Sequence, residues 1–115
     1  MGFGGIRQLA SLAAMVFCCQ GFAADIEPSA AGEKIYESYC GACHGFDSSP
    51  MMPNVPNFFS GDSLEKSDSE LLKAIREGKG FMMPSWQGVL SEQDCQNVLQ
   101  FIREKHSLMV ATATH

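Results

Sequence analysis

At 115 residues, 45% of them hydrophobic and 18% charged, the chain has room for one domain and little else. Thirteen acidic against eight basic residues make it net acidic at −5. No basic stripe interleaved with aromatics is present, which argues against a nucleic-acid partner. An acidic surface instead favours docking to a basic patch on another protein.

Taken in chain order, residues 1–23 read as a secretory signal peptide. A single basic residue, Arg7, precedes an apolar run from Leu9 to Cys19. Gly21 and Ala23 then stand where a small-x-small cleavage site is expected. The run is too short to cross a bilayer as a helix, so no stable membrane span is expected after cleavage. The remaining domain is expected over 24–115, with an ordered core at about 29–106. Cys18 and Cys19 leave with the signal, and Cys40, Cys43 and Cys95 remain. Three cysteines cannot form the disulfide framework common in small exported proteins. A domain of this size buries only a modest core, and a large apolar cofactor would supply the missing interior.

Three helices are expected, with no strand among them. The first runs from about Ser29 to Cys43, with Ser29 as N-cap and Glu33 in the first turn. Ile35, Tyr36 and Tyr39 form its apolar stripe. Residues 45–63 hold three prolines and two glycines and no clean period, which predicts loop and turns. Such a loop needs something to organise it, and Met51, Met52, Val55, Phe58 and Phe59 need something to cover. The second helix spans about Asp68 to Glu77. Ser67 and Glu70 have capping-box spacing, and Gly78 suits the C-terminal turn. The third spans about Glu92 to His106 and is capped by Ser91. Cys95, Val98, Leu99 and Ile102 lie on one face of it. The tail from Met109 is expected to fray, with His106 and His115 solvated.

The chemistry concentrates in "YESYCGACHGF", residues 36–46. Structural zinc wants four ligands, commonly two separated pairs, and here one pair stands beside one histidine. A thioredoxin-like pair wants a helix N-terminus in a βαβ setting, whereas this pair ends a helix. Haem uses all three residues. Cys40 and Cys43 can add to the two vinyl groups, and His44 then places an imidazole under the iron. The C-x-x-C-H run is a known c-type haem attachment pattern. Covalent attachment outside the cytoplasm agrees with the export signal.

The opposite ligand decides whether such an iron is open or closed. Most methionines are flexible core fillers. Met83 differs because it lies in "GKGFMMPSW", directly before Pro84 and between two helices. It is preferred to Met82 because it abuts the proline. His with Met ligation raises the reduction potential relative to two imidazoles.

With these features together, the chain resembles the class I cytochrome c family of small bacterial monohaem proteins over about residues 29–105. "GEKIYESYCGACHG" is similar to the family's first helix and haem site. "GKGFMMPSW" is similar to its Met-Pro ligand loop, and "LSEQDCQNVLQFIRE" to its terminal helix, with Phe101 at the aromatic position. The resemblance implies an all-α fold of three main helices and loops wrapped round one covalently attached haem c. It implies that the Pro56 carbonyl accepts a hydrogen bond from the proximal imidazole. Gly32, lacking a side chain, would let the third helix cross closely, with Phe101 packed there. The loop 45–63 would cover one porphyrin edge, and another edge would stay exposed to partners.

The function expected is a monomeric periplasmic electron carrier, not an enzyme, serving redox protein partners. Its site would comprise Cys40 and Cys43 as thioethers, with His44 and Met83 on the iron. The alternatives are a haem-based ligand sensor or the c-haem subunit of a larger oxidoreductase complex. Cys95 on the apolar face is expected to be a buried small hydrophobe, and an exposed sulfur would instead permit an intermolecular disulfide.

Overall fold

The computed structural model describes residues 29–114 apart from Ser48, together with Gly2 and Gly4. The export-signal reading of residues 1–23 and His115 lie outside the described residues, Gly2 and Gly4 excepted. The chain forms α1 (Ala30–Ile35), a π-helical turn (Tyr36–Cys40), α2 (Gly41–His44), a 3-10 turn (Phe58–Ser60), α3 (Asp68–Glu77) and α4 (Glu92–Ala113). Among the described residues there is no strand, only isolated bridges such as Lys79 with Met83.

The helix starts follow from local chemistry. Ser29 Oγ accepts from Gly32 N at 3.3 Å. Ser67 and Glu70 form a reciprocal capping box, and so do Ser91 and Asp94. Each serine satisfies an otherwise orphaned helix N–H, worth about 1 kcal/mol. In both boxes the carboxyl is held below the usual carboxylate range, chiefly by the N–H of the capping serine.

Two expectations about the helices are corrected. α4 does not fray at Met109 but continues to Ala113. Met109 is half-buried against the core, which gives the extra turns a packed side. The first arm is not a uniform α-helix, because a π-helical turn interrupts it. The wider turn breaks the 3.6-residue period, so Tyr39 leaves the stripe and is 42% exposed while Tyr36 stays buried.

The core sits where α1 crosses α4. Tyr36, Phe59, Ile75, Leu90, Cys95, Val98, Phe101 and Ile102 form one cluster. Gly32 makes the crossing possible. A Cβ there would run into the Asn97 carbonyl and lie 2.7 Å from Phe101 Cβ. Phe101 instead packs on Tyr36, ring centroids 5.4 Å apart. Cys95 is only 1% exposed and unpaired, which supports the buried-hydrophobe reading. Arg103 of α4 binds Asp68 Oδ1 at 2.7 Å and the carbonyls of Leu64 and Lys66, docking the approach to α3.

Candidate haem site

Between the first arm, α3 and the loop after it lies a cavity of about 890 Å³. That is within the range of cofactor sites, roughly 300–1,000 Å³. Cys40, Cys43, His44 and Met83 all line it. Four residues chosen from two distant motifs are therefore brought to one space.

His44 closes α2 and is buried. Its Nδ1 lies 3.3 Å from the Pro56 carbonyl oxygen. A carbonyl can only accept, so Nδ1 carries the hydrogen and Nε2 keeps its lone pair. Burial lowers the imidazole pKa, the bond to Pro56 opposing in part. The ring is thus neutral and competent to bind a metal at Nε2. The Phe58 ring stacks on it, centroids 4.3 Å apart and planes at 21°. Asn57 shapes that turn, its side chain accepting from Phe59 N and Ser60 N.

Cys40 and Cys43 are both half-buried free thiols. Burial, and secondarily Cys43, pushes the Cys40 pKa up to about 12. Both cysteines line the largely apolar cavity, where their sulfurs can reach the edge of a large flat group. Among the described residues no group of three or more His, Cys, Asp or Glu side chains is placed to hold a metal ion by itself.

The opposite wall is the loop after α3. Lys79 and Met83 exchange backbone hydrogen bonds at 3.0 and 3.2 Å. Trp86 N donates to Ile75 O, Gln87 N to Arg76 O, and Ser85 Oγ also to Arg76 O. Gly78 turns with φ +76°, and a Cβ there would lie 2.5 Å from the Met83 carbonyl oxygen. Met83 is half-buried against the core, whereas Met82 is 65% exposed. Both touch the cavity, but only Met83 is packed in place. Tyr39 and Trp86 meet edge to face across the two walls, centroids 5.2 Å apart. The cavity suits a large flat apolar group with one nitrogen ligand, one thioether and two thiols at its edge.

Comparison with known proteins agrees. The family described as cytochrome c oxidase, cbb3-type, subunit III matches residues 27–102. The chain belongs to the cytochrome c family. It is similar to the cytochrome c6 of Gracilaria tenuistipitata var. liui, 32% identical over 88 residues, 73% of this chain and 76% of the relative. It is similar to the cytochrome c6 of Petalonia fascia, 32% identical over 75 residues, 62% of this chain and 85% of the relative. It is also similar to the cbb3-type cytochrome c oxidase subunit CcoP of Rhodobacter capsulatus, 32% identical over 81 residues. That match covers 69% of this chain but only 27% of CcoP. The cytochrome c family carries covalently attached haem c and comprises electron carriers rather than enzymes. No helix among the described residues is long and apolar enough to cross a membrane.

Reading the sequence missed three contributors to this cytochrome's site. Phe58 was grouped with apolar residues seeking cover, and its stacking on His44 depends on a turn with no helical period. Tyr39 and Trp86 pair across 47 positions, which no local pattern reveals. The resemblance correctly implied the Pro56 carbonyl.

Proposed function

We propose that this chain is a periplasmic carrier of single electrons. Cys40 and Cys43 would hold the haem by thioethers, and His44 Nε2 and Met83 would supply ligands to its iron. When bound, the haem supplies one-electron chemistry between ferrous and ferric iron. The chain's residues do the rest. Pro56 fixes the imidazole tautomer, and Phe58 limits rotation of the ring. The packed Met83 loop presents the thioether, and the apolar lining keeps water from the iron. The carrying observation is that one cavity is lined by both thiols, the neutral imidazole and a half-buried Met83.

A saturated iron limits ligand exchange, which favours electron transfer over oxygen chemistry. The acidic surface biases the carrier, as a monomer, toward basic patches on redox partners and makes its rates fall with salt. A pyridine haemochrome spectrum tests covalent attachment. A low-spin ferric spectrum with the weak Met–iron charge-transfer band is expected. Rapid carbon monoxide binding to the reduced protein would contradict the closed site and favour a ligand sensor. The match to CcoP supports a second reading, a c-haem subunit of a larger oxidoreductase. Copurification at fixed stoichiometry would favour it over the free carrier.

A further inference from the structure

His106 is not the solvated tail residue the sequence suggests. It is half-buried on α4, and its Nδ1 lies 3.0 Å from the Phe59 carbonyl oxygen. Because that oxygen can only accept, His106 Nδ1 is the donor. The contact is built from the other side as well. Gly61 adopts φ +98°, and a Cβ there would lie 3.0 Å from His106 Cε1 and 3.2 Å from Nε2. The bare glycine therefore leaves the ring its seat.

The segment His106 holds is the one that orients His44. Phe59 is flanked by Phe58, which stacks on the His44 ring, and Pro56 accepts from His44 Nδ1. Asn57, between Pro56 and Phe58, closes this turn by accepting from Phe59 N and Ser60 N. From these contacts we propose that His106 is a positioning residue for the proximal imidazole, acting through the Pro56–Ser60 turn rather than by touching the haem. This rests on the assignment of His44 as proximal ligand.

The consequence is electronic. A hydrogen bond from Nδ1 to a carbonyl raises imidazole basicity and fixes ring orientation. A more basic imidazole stabilises ferric over ferrous iron. A turn released from His106 weakens the His44–Pro56 bond, so the reduction potential rises and the ring plane shifts.

The test uses the haem-loaded protein, by redox titration and by NMR of the ferric form with labelled histidine. His106→Leu fills the space without a donor. It is expected to raise the midpoint potential and to change the spread of the haem-methyl shifts, which report the ligand plane. His106→Gln keeps an N–H donor and is expected to stay close to native in both. Ser91→Ala, which weakens α4 far from the turn, is expected to lower thermal stability and move neither readout. If His106→Leu does not fold, His106→Phe, which keeps a ring there without a donor, carries the same expectation. Native potential and native methyl shifts in His106→Leu would overturn the proposal. So would a His106→Gln shift as large as that of His106→Leu. If the native protein gave no iron-shifted signal from His44, the proximal assignment itself would fail and this proposal with it.

Discussion

The two walls of the cavity are built by different means. On the His44 side, polar and aromatic contacts act on the imidazole itself: a hydrogen bond to Pro56 and a stacked Phe58. On the Met83 side every hydrogen bond belongs to the loop. Backbone bonds tie Met83 to Lys79, and others tie the residues after it to α3. The thioether is a weak acceptor and is placed by packing alone. An imidazole needs its tautomer and plane specified, whereas a thioether needs only to be near. Ligand exchange should therefore begin at the methionine wall.

The largest break expected is His44→Ala. It removes the nitrogen donor, so the low-spin spectrum should be lost in both oxidation states while Cys40 and Cys43 still retain haem on a denaturing gel. Met83→Ala is expected to be milder. The ferric charge-transfer band should disappear, the potential should fall, and the reduced protein should bind carbon monoxide rapidly. Met82→Ala should do none of these, because Met82 is largely exposed and is not packed against the core; an opened site in that variant would reassign the ligand.

Gly78→Ala sharpens the comparison without touching a ligand. Alanine at φ +76° is strained, and its Cβ would press on the Met83 carbonyl. Stability should fall by more than about 1 kcal/mol in denaturant titration. The charge-transfer band should weaken while the His44 signals stay native. A change on the His44 side instead would show that the two walls are coupled.

The smallest effect lies outside both walls. Asp94 and Glu70 have depressed folded pKa values, so their capping adds stability that is present above the ordinary carboxylate range. That stability is lost as pH falls through their folded pKa values. Asp94→Asn should flatten part of the acid dependence of helicity, read by circular dichroism, with both haem-side spectra unchanged.

Much of this architecture was legible residue by residue. Ser67 with Glu70 predicted α3 to its first residue, because a capping box is complete within four positions. The alternation of Cys95, Val98, Leu99 and Ile102 predicted the buried face of α4, since one helix carries all of it. The π turn was not legible. Its hydrogen-bond shift leaves no mark in composition, and so Tyr39 was grouped with the core stripe rather than with the cavity wall it shares with Trp86. The α4 extension escaped for a related reason, because Met109 gains its partner from the core rather than from its neighbours.

What the sequence determined by itself was the covalent chemistry and the local frame. Two thiols and an imidazole in five positions need no tertiary contact to specify c-type attachment, and helix caps are local by construction. Tertiary structure decided that Met83 packs against the core while Met82 stays exposed, that Cys95 is buried and that His106 meets Phe59. These depend on which side chain finds a packed neighbour across the fold. His106 meets Phe59 over a separation of 47 residues. A hydrogen bond at that range exists only because α4 and the turn are docked on the same core.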